Sequence, residues 1–107
     1  MTDITPIQAL SDPTRRKLFE HLRHGPYSVN ELVSQMDVSQ PAVSQHLRVL
    51  REAHMVRVRK RGQQRIYSVD PAGLVELRAY VESFWDAVLD AFQVSADELT
   101  DEETKNE

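Results

Sequence analysis

Ser39-Gln-Pro-Ala-Val-Ser-Gln-His-Leu-Arg-Val-Leu-Arg-Glu52 spaces its apolar residues for one face of a helix and leaves hydrogen-bonding side chains on the others. Ser39 is placed to accept from the unpaired amides of a first helical turn, and Pro41 fits that turn because no backbone donor is needed there. Val43, Leu47 and Leu50 recur at i, i+4 and i+7, the spacing of a buried stripe. Gln40, Ser44, Gln45 and Arg48 then point elsewhere. Their donors and acceptors suit base edges in a major groove or phosphate oxygens, and they gather toward the helix N-terminus, the end that enters the groove in helix-turn-helix proteins. A solvated polar face is the competing reading of this helix alone, and its neighbours decide between the two.

Upstream, Ser28-Val-Asn-Glu31 has the form of a capping box, after which Leu32, Val33 and Met36 give a short helix its stripe. Asp37-Val38 makes the turn. Two short helices joined by so few residues cross steeply, as in a helix-turn-helix. Downstream, Val56 and Val58 alternate with Arg57 and Arg59, Lys60 to Gln64 interrupt, and Arg65-Ile-Tyr-Ser-Val69 resumes a strand composition. This pattern predicts a β-hairpin with a basic tip, and Gly62 is where positive φ is least costly. A helix-turn-helix followed by a basic hairpin is a winged helix. Asp12-Pro13 opens an earlier helix with Leu18, Phe19 and Leu22 facing inward; Gly25-Pro26 ends it, with glycine expected in the left-handed position after the helix. Ile4, Ile7 and Leu10 mark a short first helix from about Pro6. The fold class is mainly α with a small β-hairpin: four helices, two strands and a fifth helix.

That last helix opens at Asp70-Pro71 and is expected to run to about Val94. Leu74, Leu77, Val81, Phe84 and Val88 recur at three- and four-residue steps, and Trp85, Leu89 and Phe92 widen the stripe. At 1.5 Å per residue it is roughly 36 Å long, about the width of a small domain. One chain has little with which to cover such a stripe, so it is read as a homodimer interface; a helix folded back on its own core is the alternative.

A chain of 107 residues, 40% hydrophobic, accommodates one domain, taken as residues 1–94, with residues 95–107 as an acidic, disordered tail. There is no continuous apolar span and no basic-then-apolar leader pattern, so the chain is expected to be soluble and cytoplasmic, without membrane association. The absence of cysteine excludes disulfides and thiolate chemistry. The net charge of −4 looks unfavourable for binding a polyanion until the charges are located. The tail sets six acids against Lys105, whereas residues 48–65 hold Arg48, Arg51, Arg57, Arg59, Lys60, Arg61 and Arg65 against Glu52 alone. Local potential governs phosphate attraction, and a separate tail is screened beyond about 8 to 10 Å at physiological salt.

With these elements in place the chain resembles the ArsR/SmtB family of bacterial winged-helix repressors over residues 7 to 92. The likeness rests on Leu10-Ser-Asp-Pro-Thr-Arg-Arg16, on Ser39 to Leu47 with Leu50-Arg-Glu52, and on a wing ending in Tyr67. It implies a homodimer joined through the first and last helices, with Ile7, Leu77, Val81, Phe84, Trp85, Val88 and Phe92 at the interface. It also implies repression at a pseudo-palindromic double-stranded DNA operator near the bacterial nucleoid, relieved by an effector. By the same resemblance Gln40, Ser44 and Gln45 read bases, and Arg59, Lys60, Arg61 and Arg65 belong to the wing, where members touch phosphate or the minor groove; Arg48 joins the DNA-binding set from the helix pattern alone. His46 stands in the same motif and equally suits the edge of the core. Arg15 and Arg16 could hold phosphate, but an exposed face is their default.

The departures are informative. Where thiolate metal sensors carry cysteines at the start of the third helix, this chain has Ser28 to Val33, and no histidine follows His54. Glu82, Asp86 and Asp90 form a carboxylate ridge at i, i+4 and i+8, read as a solvated face; His21 and His24 lack further ligands. No metal and no cofactor are expected. The chain looks most like a metal-independent branch whose small-molecule effector, if any, is unknown, and Phe84, Trp85 and Phe92 either line an apolar pocket or pack an interface. No nucleophile elbow, phosphate loop or HExxH is present, so an enzyme is not expected. The alternative function is a winged-helix module that binds protein instead of DNA.

Overall fold

The computed structural model describes residues 3–92. It contains α1 (Pro6–Ala9), α2 (Pro13–His21), a 3-10 turn (Leu22–His24), β1 (Tyr27–Ser28), α3 (Val29–Gln35), α4 (Gln40–Glu52), β2 (Val56–Arg61), β3 (Gln64–Val69) and α5 (Pro71–Ala91). The acidic segment 95–107 and the expected helix end at Val94 lie outside the described residues. The chain divides into one compact unit up to Leu77 and a second from Arg78 onward. Among the described residues no helix is long and apolar enough to cross a membrane.

Each helix of the first unit starts on a side chain that satisfies amides which the helix leaves unpaired. Ser28 and Glu31 close the expected capping box, with Ser28 N–H donating to Glu31 Oε1 at 2.8 Å and Glu31 N–H to Ser28 Oγ at 3.2 Å. Thr5 and Gln8 form a second box on α1. Asp12 Oδ2 accepts from Arg15 N–H at 2.8 Å, and Ser39 Oγ from Ala42 N–H at 3.3 Å. The amide donated by Arg15 lowers the Asp12 pKa against a small desolvation cost, with help from the nearby charges of His46 and Arg15. The Arg15 guanidinium donates to the Ala9 and Gln8 carbonyls, and Arg16 Nε to the Leu10 carbonyl at 3.0 Å. These two arginines therefore tie α2 to the carbonyl end of α1, which accounts for them without a phosphate.

The core of the first unit is built from Leu18, Leu32, Val43, Leu47, Leu50 and Met55, all essentially inaccessible to solvent, and is closed by Val56 and Tyr67. Two differences from the sequence reading stand out. First, the hairpin is part of a three-stranded sheet of order β1-β3-β2, with β1 antiparallel to β3 through Tyr27↔Tyr67 and Ser28↔Ile66. Second, α2 tightens into the 3-10 turn before Gly25, whose φ of 132° and ψ of 176° lie well away from the left-handed helical conformation. The hairpin turn is only Gly62-Gln63, with φ 63° at Gly62.

The sharpest backbone feature follows α4. His54 has φ 58°, donates its N–H to the Arg51 carbonyl at 3.0 Å, and is followed by Met55 N–H donating to the Leu50 carbonyl at 2.9 Å. These are the two hydrogen bonds of a Schellman motif, closed by the buried Leu50 and Met55, with histidine where glycine is usual. The first turn of α5 sits against this reversal: Gly73 is buried, and a Cβ there would lie 2.5 Å from the His54 carbonyl oxygen and 2.6 Å from Met55 Sδ.

Two stability changes are expected in urea denaturation. His54→Gly removes the steric cost of a left-handed L-residue and stabilises by about 1 kcal/mol. Gly73→Ala forces backbone apart and destabilises by about 1 to 3 kcal/mol despite the better helix propensity of alanine.

Candidate nucleic-acid interface

Helix α4 is pinned by Val43, Leu47 and Leu50, and its opposite side is left to solvent. At about 100° per residue, Gln40, Ser44, Arg48 and Arg51 fall within an arc of roughly 80°. They form one wall of a groove of about 540 Å³ whose other lining includes Ser28, Val29 and Asn30 at the start of α3, and Gln63, Gln64, Arg65 and Tyr67 of the wing. Three elements distant in sequence thus converge on a polar cleft. Arg48, Arg51 and Arg65 all line it; the one ion pair formed by any of them among the described residues is Arg48 Nε to Glu52 Oε1 at 3.6 Å, between exposed side chains. Such exposed pairs contribute little. The cleft therefore presents amides, a hydroxyl and excess positive charge together, a set suited to base edges and phosphates.

The sequence-derived candidates do not all meet here. Gln45 is exposed but lies roughly 100° around α4 from Ser44, outside the groove lining. Of the wing cations only Arg65 lines the groove, and sheet parity alone does not decide this, since Gln64, on the face of Arg61, lines it and Lys60, on the face of Arg65, does not. In the β2–β3 register Lys60 lies opposite Arg65, on the face shared by Val56, Val58 and Tyr67, whereas Arg59 lies opposite Ile66 and Arg61 opposite Gln64, on the other face. Arg51 and Asn30 were not among the candidates. Arg51 follows Ser44 by seven residues and was available from helical spacing alone; Asn30 looked like part of a cap, and only the crossing of α3 with α4 brings it to the groove. His46 is half-buried, its Nδ1 is enclosed without a hydrogen-bond partner, and it is outside the groove lining.

In the second unit, Val81, Phe84, Trp85, Val88 and Phe92 are exposed, with Phe84 at 55% and Trp85 at 61%; Ile7 in the first unit is also exposed, and Leu77 is half-buried. Tyr80 and Phe84 stack edge to face at 5.0 Å, and Arg78 pairs with Glu82 at 2.8 Å along the helix.

A three-helix core with a helix-turn-helix and a three-stranded wing defines a winged-helix DNA-binding protein. The sequence profile of bacterial regulatory proteins of the arsR family matches residues 12–58. The chain is 48% identical over 85 residues to the HTH-type transcriptional regulator Rv2034 of Mycobacterium tuberculosis, covering 79% of each protein. It is 33% identical over 63 residues to the transcriptional repressor SdpR of Bacillus subtilis, covering 59% of this chain and 70% of that one. A crystal structure described as a possible transcriptional regulator for arsenical resistance superposes with a TM-score of 0.70 at 41% identity, over 85% of this chain and 97% of the other. The chain belongs to the ArsR family. It is a DNA-binding transcriptional regulator and, in keeping with the regulators and repressors it resembles, not an enzyme.

Proposed function

We propose that this regulator is a repressor of the metal-independent kind, acting as a homodimer on a pseudo-palindromic operator. The observation that carries the reading is the groove in which Gln40, Ser44 and Arg48 of α4 face Arg65 of the wing. In this reading Gln40 and Ser44 contact bases from within the major groove, Arg48 and Arg65 hold adjacent backbone, and Lys60, Arg59 and Arg61 act from the wing. Gln45 meets the duplex from the flank of the helix. Residues 1–94 constitute the binding and dimerisation domain, and 95–107 a solubilising acidic tail.

Dimerisation is supported by the row Val81, Phe84, Trp85, Val88 and Phe92, which leaves several large apolar side chains in water when the chain is alone; in this proposal Ile7, exposed on α1, and the half-buried Leu77 belong to the same interface. Two such chains joined by α1 and α5 present recognition helices to successive major grooves about 34 Å apart. Bound over a promoter, the dimer excludes polymerase. The lack of cysteine removes the thiolate ligands of soft-metal sensing, and among the described residues of one chain no three histidine, aspartate or glutamate side chains come together as a metal cluster. In this proposal the effector is a small molecule other than a metal.

Gel shifts on the DNA adjacent to the chain's own gene test the reading. Gln40→Ala is expected to cost about 1 to 3 kcal/mol and to relax base preference. Unchanged operator preference in that variant removes α4 from the reading role. Trp85→Arg is expected to shift sedimentation toward monomer and weaken operator binding; a wild-type protein that sediments as a monomer at micromolar concentration refutes the dimer.

A further inference from the structure

The end of α2 with its 3-10 turn, the chain reversal at Gly25-Pro26, the last residues of β3 and the first turn of α5 border an open cavity of about 550 Å³ within the first unit. That volume falls in the range of about 300 to 1,000 Å³ usual for small-molecule sites, and no residue of its lining belongs to the reading groove. Phe19, Leu22, Pro26, Val69 and Leu74 give it an apolar wall. Leu74 is 41% exposed, so part of this wall stands in water. The polar side chains of the lining are few: the Ser68 hydroxyl, the Glu20 carboxylate and the Arg23 guanidinium. Glu20 and Arg23 are exposed and three residues apart, a spacing at which helical side chains pair, yet among the described residues neither is in an ion pair. One fixed anion and one fixed cation thus border the same apolar hollow. A ligand with a single charge satisfies one of them and is repelled by the other. A zwitterion with an apolar body satisfies both.

We infer that this cavity is the effector site and that its ligand is an α-amino acid with an apolar side chain, the ammonium meeting Glu20, the carboxylate meeting Arg23 and the Ser68 hydroxyl, and the side chain lying against Phe19, Leu22 and Val69. The inference rests on the reading of the chain as a repressor released by a small molecule other than a metal, and it names the class of that molecule and its place. Burial of the ligand's apolar side chain supplies affinity, and the two charges select for the zwitterion. The cavity is placed to report its occupant. Val69 immediately precedes Asp70, whose amide donates to the Met55 carbonyl at 2.8 Å where α4 gives way to β2. Pro26 immediately precedes β1, which pairs with Tyr67 and Ile66 of β3. A ligand that fits better when Pro26 and Val69 are spread therefore loads the strand that carries Arg65 into the groove. Binding then favours the arrangement with the groove displaced, and operator affinity falls.

The probe is L-phenylalanine, titrated into the full chain by isothermal calorimetry without DNA. Saturable binding with a Kd of about 1 mM or tighter is expected. Hydrocinnamate, which lacks the ammonium, and phenethylamine, which lacks the carboxylate, are each expected to bind about fivefold more weakly. Arg23→Gln is expected to weaken L-phenylalanine about fivefold but not phenethylamine, and Glu20→Gln to weaken L-phenylalanine but not hydrocinnamate. In gel shifts, saturating L-phenylalanine is expected to lower the affinity of the wild-type chain for the DNA adjacent to its own gene about fivefold or more. Absence of saturable heat up to about 10 mM overturns the site. Equal binding of hydrocinnamate or phenethylamine overturns the zwitterion, and binding that leaves operator affinity unchanged overturns the effector role. A chain that binds L-phenylalanine with the expected selectivity but shifts no DNA in its absence supports the cavity assignment and overturns the repressor reading instead.

Discussion

The four residues that turn the chain from α4 into β2 fix the frame to which everything on the reading side is referenced. Ala53 to Val56 reverse direction through the paired hydrogen bonds of His54 to Arg51 and Met55 to Leu50, and the Met55 carbonyl accepts the Asp70 amide at 2.8 Å. The end of the recognition helix, the first residue of the wing, the end of β3 and the start of α5 are thereby tied at one point. The left-handed histidine costs on the order of 1 to 2 kcal/mol. Full burial of Leu50 and Met55 offsets it, since a fully buried side chain of this size contributes about 1.5 to 3 kcal/mol. Gly73 completes the joint by letting α5 approach the His54 carbonyl more closely than any other residue could. Because the wing departs from the same turn that ends α4, the spacing between helix and hairpin is set by backbone rather than by flexible contacts.

Given that fixed origin, sheet parity divides the wing cations between two faces. Counting from Val56, even positions of β2 lie on the core side and odd positions face away; the partners on β3 follow by register. Arg65 shares its face with Lys60, while Arg57, Arg59 and Arg61 form a separate row; it is Arg65 that also lines the groove beside α4. A slip of one residue would reverse the assignment. It is prevented by the pairs Val56↔Val69 and Val58↔Tyr67, which would move apolar side chains into water if exchanged with their neighbours. The same apolar alternation that stabilises the hairpin also sorts its charges onto two faces.

How far this was legible in the sequence depends on the range of the interaction. Caps and stripes are local, so Asp12-Pro13, the Ser28–Glu31 box, Ser39 and the Val43, Leu47, Leu50 spacing were each readable, and with them the winged-helix order. The strand of Tyr27 and Ser28 was not, since two residues carry no periodic signal and exist as a strand only through pairing with β3. Nor was the left-handed His54: glycine announces such a turn, and here the Schellman hydrogen bonds hold a residue that propensity argues against. Arg15 and Arg16 looked like surface charges because their partners are backbone carbonyls, which a sequence does not advertise. Of the residues that line the groove, Gln40, Ser44, Arg48 and Arg65 were picked out by residue type and spacing; Asn30 required the crossing of α3 with α4, and the split of the wing cations required the strand register.

The overall charge illustrates why placement rather than composition controls binding here. A chain at −4 confronting a polyanion is repelled at long range, but that repulsion decays over about 8 Å at physiological salt, well within the dimensions of a small domain. In the proposed complex the duplex would meet, inside that distance, residues 48–65, seven cations against one acid, held by a helix and a hairpin that leave the same turn. The acids that set the net charge are concentrated after residue 94, and none of those after Glu52 lies before Asp70. On that proposal, attraction at contact and repulsion at distance are complementary, because the local cations act only where phosphates come within a Debye length of them.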